Sequence, residues 1–296
     1  DVIDYITIAT TGNAQDFGDL MEARAYFDGT SNGTRGVWFG GYAGSASKAL
    51  IQYVTVSTLG NAADFGDLTL ARYSPAVVCD STTGVAMGGL ATTGDVNTMD
   101  YVTIATTGNA TDFGDLTVSK RDVAALASST RGVFASDSSD SNVMEYITID
   151  TTGNATDFGD LNYGSPSYNV EGSCNGTRGI FQGGHYSATN VLDYITVAST
   201  GNAISFGALS VDRYNPGSLG DATRAVFGGG DTGGATKVNT MDYVSYDPTG
   251  NATDFGNLTV SRNYCPGASD TTRGIFAGGT GPIDVMDRSE ERRVGK

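Results

Sequence analysis

The tripeptide Gly-Asn-Ala starts at Gly12, Gly60, Gly108, Gly153, Gly201 and Gly250, in steps of 48, 48, 45, 48 and 49 residues. Self-similarity at such a period marks a repeat architecture, in which one unit cannot bury its apolar faces alone and must pack on its neighbours. Each copy lies in a longer phrase, YITIATTGNAQDFGDL at 5–20 and YVTIATTGNATDFGDL at 101–116. A second phrase alternates with the first. It reads TRGVWFGG at 34–41, TRGIFQGG at 177–184, TRAVFGGG at 223–230 and TRGIFAGG at 272–279, with weaker copies TTGVAMGG at 82–89 and TRGVFAS at 130–136. Six units therefore carry both phrases.

Inside a unit the periodicity is that of strands. Tyr243-Val244-Ser245-Tyr246 and Tyr194-Ile195-Thr196-Val197 alternate larger apolar with small polar residues. No segment sustains an apolar stripe at helical spacing. Four strands per unit are expected: the TRGVFGG-type run, the MDYVTIA run, FGDLTVSR, and the run before the next TRG, such as 75–79. With 42 glycines and only 17% charged residues, the composition suits many short strands joined by tight turns. The expected fold is all-β: a β-propeller of four-stranded blades over residues 1–287, six blades if 273–279 joins the strand at Tyr5 to close the ring. Closure removes the long exposed sheet edge that an open stack would leave.

These phrases resemble the kelch repeat. The resemblance rests on double glycines at Gly40-Gly41, Gly88-Gly89, Gly183-Gly184, Gly229-Gly230 and Gly278-Gly279, and on Tyr5, Tyr53, Tyr101, Tyr146, Tyr194 and Tyr243 in the second strand. An aromatic residue opens the third strand at Phe17, Phe65, Phe113, Phe158, Phe206 and Phe255, and an arginine follows at Arg24, Arg72, Arg121, Arg213 and Arg262. The chain departs from the pattern in using Phe where kelch units usually carry Trp, in Ala135-Ser136 at one double-glycine position, and in lacking the arginine near Tyr163. The near-identical copies are also similar to the kelch-type repeats of tailed-phage virion proteins, which implies a tail-fibre or adhesin role in a virion or extracellular setting.

The formal net charge of −16 repels phosphate backbones, so nucleic acid is not an expected partner. No apolar run approaches the roughly 20 residues of a membrane-spanning helix, and membrane insertion is not expected. Cys79, Cys174 and Cys265 are too few and too far apart for a disulfide framework and read as small buried apolar residues. The segment 288–296 breaks the repeat, resembles the translation of a sequencing-adapter read-through, and is set outside the fold.

Motifs of catalysis fail on context. Gly29-Thr30-Ser31-Asn32-Gly33 matches G-x-S-x-G, but the single histidine, His185, lies in another unit and no strand-turn-helix frames the serine. The run 228–233 matches G-x-G-x-x-G but leads into a strand rather than a helix. One histidine and unpaired cysteines cannot build the usual zinc site. Oxygen ligands for Ca²⁺ exist in Asp16, Asp19, Asp64, Asp67, Asp112, Asp115, Asp157, Asp160 and Asp254. The competing structural readings are turn capping by these side chains and pairing with the arginine of the TRG phrase. No other cofactor is expected, and the chain is read as no enzyme. The Asn-x-Thr sequons at Asn32, Asn109, Asn154, Asn175, Asn251 and Asn257 read as by-products of the turn phrases.

In an up-and-down blade, alternate connections share a face. The TTGNATDFGD and SDTTRG connections hardly vary among units, whereas the connections on the opposite face vary in length and composition. That variable face carries Tyr26, Tyr42, Tyr73, Tyr168, His185, Tyr186, Tyr214 and Tyr264, which are the expected ligand-binding residues. The partner expected is a glycan or protein on a cell surface. The alternative is a purely structural spacer that meets only neighbouring subunits of a fibre or surface protein.

Overall fold

The computed structural model describes residues 2–5, 15–24, 26–32, 34–135, 142–162, 170–183, 189–232, 236–258, 261–263, 267–269, 274–277 and 286–289, with backbone placement alone for 2–5, 15–17, 267–269, 274–277 and 286–289. The described residues are all-β, without a helix. Five antiparallel sheets have four strands each, in sequence order across the sheet. The first holds Asp28–Ser31, Arg35–Phe39, Leu50–Thr55 and Ala63–Asp67. The second holds Ala76–Cys79, Thr83–Met87, Thr98–Thr103 and Thr111–Asp115. The third holds Ala124–Ala127, Arg131–Ala135, Val143–Thr148 and Thr156–Asp160. The fourth holds Glu171–Cys174, Arg178–Gln182, Thr189–Thr196 and Ile204–Arg213, and the fifth Gly217–Gly220, Arg224–Gly228, Thr240–Ser245 and Thr253–Asn257.

The grouping differs by one strand from the sequence expectation. The run before each TRG phrase pairs with that phrase and opens its sheet; Ala76–Cys79 lies against Thr83–Met87 rather than closing the preceding unit. A short Asp- or Asn-capped turn joins the two, whereas the chain from DFGDL to this run is a long connector that crosses to the next sheet. In the first sheet that turn is held by Asn32 Oδ1, which accepts from the Thr34 and Arg35 amides at 3.0 and 2.9 Å. Asp80, Ser128, Asn175 and Asp221 repeat the arrangement.

At the ends, Val2–Tyr5 pairs with Gln15–Asp19, and Gly267–Ser269, Gly274–Ala277 and Met286–Ser289 form a three-stranded sheet. Among the described residues, Gly274–Ala277 does not meet the strand at Tyr5; Met286–Ser289 stands in that place. Met286-Asp287 repeats Met99-Asp100 and takes the equivalent register, opposite Ala277 and Phe276. Arg288 and Ser289 belong to that strand although their segment was set outside the fold.

The recurring phrases are the joints between sheets. DFGD forms a β-bulge: Ile51 faces Gly66 and Gln52 faces Asp64, so Phe65 is the extra residue, and its ring packs edge-on against Tyr53 at 5.8 Å. Gly-Asn-Ala of each described copy then clasps the bulge of the sheet before it. The Gly108 amide donates to Phe65 O at 2.7 Å, Ala110 N to Asp67 O at 2.8 Å, and Asn109 Oδ1 accepts from Asp67 N at 3.1 Å. The asparagine bond recurs at Asn61, Asn154, Asn202 and Asn251. Gly66 has φ +145°, and a Cβ there would meet Gly108 O at 2.3 Å, so side-chain size and backbone conformation both demand glycine. Apolar packing follows the same joint: Phe65 shares a cluster with Val102, Ile104 and Ala110 of the next sheet.

A second joint is ionic. Arg72 and Asp100 are both fully buried and meet at 2.8 Å; Asp100 also accepts from the Thr69 hydroxyl at 2.5 Å. Lys120–Glu145 and Arg213–Asp242 repeat this pair between the second and third sheets and between the fourth and fifth. Burial pulls the Arg72 guanidinium below its ordinary value while Asp100 pushes it back up. The first double glycine completes the joint: Gly40 has φ +63° and Arg72 O lies 2.5 Å from where its Cβ would be.

Candidate functional site

The first strands of all five sheets line one cavity of about 1050 Å³. Its mouth is made by the connectors that lead into those strands, at Tyr26-Phe27, Tyr73-Ser74-Pro75 and Asp122-Val123. Tyr26, Ser74, Asp122 and Asn215 occupy one repeat position and share a left-handed backbone, with φ 55°, 50°, 53° and 52°. Asparagine tolerates that conformation and tyrosine does not, so Tyr26 is held there against its preference.

Three of the expected ligand-binding residues converge at this mouth. Tyr73 packs against Tyr26 with ring centroids 5.9 Å apart and against Tyr42 at 5.2 Å. Tyr26 is 65% and Tyr42 38% exposed, so the cluster presents aromatic surface to solvent. Short ribbons on the second-to-third connections, such as Tyr42–Ala43 with Ala46–Ser47, lie on this face. The backbone of Tyr73 bridges to Leu90, and that of Tyr214 to Asp231, joining both kinds of variable connection on one side. Tyr214 stands at the repeat position of Tyr73 in the fourth-to-fifth connector, apart from the cluster. Tyr168, His185, Tyr186 and Tyr264 lie outside the described residues.

The cavity wall carries two acids that sequence reasoning missed. Asp28 and Glu171 occupy the first position of their sheets' opening strands, where the second, third and fifth sheets have Ala76, Ala124 and Gly217. An acid standing where sister units carry Ala or Gly was the available signal. Asp28 accepts from the Gly29 and Val77 amides at 2.8 and 2.9 Å. It is open to the cavity but enclosed by protein, and that enclosure pushes its carboxyl up to about 6 against those amides. Enclosure likewise pushes Glu171 up to about 7; the Ser218 hydroxyl, donating at 3.3 Å, opposes the rise, and the charge of Asp28 adds to it. The two carboxyls sense each other, so the cavity favours a cationic or hydrogen-bond-donating guest near neutral pH.

The DFGD aspartates have structural tasks. Asp112, Asp157 and Asp254 each accept from the glycine amide two residues on, at 3.1–3.2 Å, and so pin the bulge. Asp19, Asp67, Asp115 and Asp160 offer backbone groups to the clasp. Asp64 and Asp67 are exposed, and only the backbone of Asp16 is described. Among the described residues, no group of three or more His, Cys, Asp or Glu gathers for a metal. The described TRG arginines stack on the repeat tyrosines. Arg35, Arg131, Arg178 and Arg224 lie over Tyr53, Tyr146, Tyr194 and Tyr243 at 4.3–5.2 Å, and Arg35 donates to Ile104 O of the next sheet at 3.1 Å. Sequon residues Asn32, Asn109, Asn154, Asn175 and Asn251 all spend their side-chain oxygens on the turns and clasps. Cys79 and Cys174 are half-buried rather than buried, and Cys79 accepts from the Thr30 hydroxyl at 2.6 Å. Cys265 lies outside the described residues.

No family model matches the chain, and no curated protein matches it.

Proposed function

We propose that the protein is a kelch-like β-propeller that acts as a non-enzymatic binding module, taking a cell-surface glycan at the mouth of its central cavity. The observation that carries this reading is the convergence of Tyr26, Tyr42 and Tyr73 on the variable face, at the rim of a cavity lined by five sheets. Tyrosine stacks on sugar rings while its hydroxyl bonds to them, and a tyrosine at a left-handed position that sister connectors fill with Ser74, Asp122 and Asn215 is a cost the fold alone does not require. The repeated four-stranded sheets with adjoining first strands support a propeller; six blades follow when the terminal strands complete a sixth sheet. The likeness of the repeats to phage virion proteins suggests an adhesin on a virion or in an extracellular fibre.

The test is a glycan array of bacterial surface polysaccharides probed with the full chain and with a Tyr26→Ala/Tyr42→Ala variant. Retention of a glycan by the parent and at least tenfold weaker retention by the variant is the expected result. An empty array, or equal binding by both, refutes the site and leaves the spacer role. A second reading has one observation in its favour. Two carboxyls with raised proton affinity on a cavity wall are the residue types glycoside hydrolysis uses. Release of reducing ends from a retained glycan, abolished by Glu171→Gln, decides for it.

A further inference from the structure

The described residues that line the cavity include the acids Asp28, Asp122 and Glu171 and no Lys, Arg or His. The undescribed connectors that precede opening strands, 163–169 and 264–266, contain no Lys or Arg in their sequence either. Asp122 pairs with Arg121 at 3.4 Å. Asp28 and Glu171 meet no cation among the described residues. They stand on separate walls, in the first and fourth sheets, with the opening strands of the second and third sheets between them. Each takes the first position of its opening strand, directly after a connector, and so lies at the mouth end of the cavity. Asp28 is joined to the aromatic rim itself, since the chain runs Tyr26-Phe27-Asp28.

The hydrogen bonding of both carboxyls is incomplete. Each oxygen of Asp28 accepts one backbone amide, which leaves lone pairs on both. The Ser218 hydroxyl has one proton for two acceptors, Gly172 O at 3.0 Å and Glu171 Oε2 at 3.3 Å, so Glu171 holds only a share of it. A carboxylate enclosed by protein, short of donors and without a counter-ion is stabilised by a cation that brings N–H groups. The wall between the two acids selects the kind of cation. Half-buried Val77, Val123 and Ala125 line it. A Ca²⁺ ion needs roughly six to eight oxygens around it, and these side chains supply none. An ammonium carried on a carbon frame suits the wall, with its N–H groups toward the carboxyls and its C–H faces on apolar side chains. The cavity, about 1050 Å³, is at the upper end of small-molecule sites and admits more than one sugar ring.

We infer that the mouth selects sugars bearing a free amine, of the glucosamine kind, with the ring stacked at Tyr26 and the ammonium in the field of Asp28 and Glu171. This rests on the glycan reading above and names the class of sugar. Acetylation of the amine removes the charge and leaves both carboxyls uncompensated, so an N-acetylated sugar of the same shape binds less well.

Isothermal titration calorimetry of the full chain, with a β-1,4-linked glucosamine tetramer and with its fully N-acetylated counterpart, tests the inference. The free amine gives about tenfold tighter binding. Asp28→Asn and Glu171→Gln each erase most of that gain and leave affinity for the acetylated tetramer within about twofold, which also reports that the variants are folded. Tyr26→Ala weakens both tetramers alike. Asp64→Asn/Asp67→Asn removes exposed charges away from the cavity and changes neither affinity, which separates the site from general attraction to an acidic chain. A preference that survives in Asp28→Asn/Glu171→Gln, or that falls equally with Asp64→Asn/Asp67→Asn, overturns the inference. Equal affinity for the two tetramers overturns it and leaves the glycan reading standing, whereas capture of no glycan of any kind overturns both. Ca²⁺ or ethylammonium bound as tightly as the amino sugar, and lost with Glu171→Gln, also overturns it, because the carboxyls then hold a bare cation.

Discussion

Removing the carboxyl of Asp100 isolates a charge in the joint between the first and second sheets. Arg72 and Asp100 have no solvent exposure and meet at 2.8 Å, and Asp100 also satisfies the Thr69 hydroxyl and amide. Asp100→Ala strands a buried guanidinium, a loss of about 3–5 kcal/mol. The molecule itself shows a milder exchange. At the preceding joint the acid's place is held by Gln52, whose Oε1 accepts from the Met21 amide at 2.9 Å. There Arg24 turns to the carbonyls of Gly40 and Leu50 instead, at 2.5 and 2.8 Å. Arg72 already donates to Ala86 O at 3.2 Å. Asp100→Gln therefore keeps an acceptor for Thr69 and leaves the arginine its carbonyl, costing about half as much, on the order of 1.5–2.5 kcal/mol. Urea unfolding at pH 7, followed by far-ultraviolet circular dichroism and by the fluorescence of Trp38, measures both. An alanine cost below about 1 kcal/mol, or a glutamine cost equal to the alanine cost, would refute the view that the joint depends on charge compensation.

Other expectations follow from the same geometry. Gly114→Ala drives a Cβ to 2.4 Å from Gly153 O at φ +142° and destabilises by more than about 2 kcal/mol, whereas Gly108→Ala, with nothing within 4 Å, stays within about 0.5; equal urea midpoints would show that the clasp is not tight. Asp28 and Glu171 have folded-state proton affinities raised to about 6 and 7. Their contribution to stability is therefore full below pH 4 and is lost as pH rises through 6–7. The melting temperature falls between pH 5 and pH 8, and Asp28→Asn/Glu171→Gln flattens that fall; a parent chain whose melting rises over this range contradicts the sign. Tyr26→Asn, which relieves a left-handed tyrosine at φ 55°, raises the melting temperature by a degree or more while weakening glycan retention. A variant that loses both stability and binding would make Tyr26 part of the scaffold.

Much of this architecture could be read from the residues, because a repeat reports on itself. Strand type, unit size and the two faces follow from periodicity alone, and the glycines and aromatics of the phrases stand where expected. The grouping of strands was shifted because a sequence of alternating runs has no intrinsic first member; only the short capped turn at Asn32 and its equivalents decides which runs share a sheet. The buried acids Asp100, Glu145, Asp193 and Asp242 were overlooked although a polar residue, Asp4 and Gln52 included, precedes every repeat tyrosine. A polar residue fixed within an apolar strand is a sign of an internal pair, and the recurring arginine supplied its partner. The aspartates of DFGD looked like ligands because they are dense along the chain. In space they stand one bulge apart, and Asp112, Asp157 and Asp254 are each occupied with the glycine amide two residues on. Asp28 and Glu171 lay hidden for the opposite reason: they are exceptions at a position that is otherwise small, and a search for regularities passes over exceptions.

The clasp has a genetic consequence. Every bond of one joint, from the asparagine cap to the bulge glycine, lies between two short phrases that recur nearly unchanged, so each unit presents its successor with the same socket. A duplication or loss of one reading-frame unit by recombination between those phrases regenerates a complete joint at the new junction. The connectors that carry Tyr26, Tyr42 and Tyr73 lie outside these phrases and on the other side of the sheets. They travel with the exchanged unit as cassettes, so new combinations of surface can be tried without renegotiating the interior.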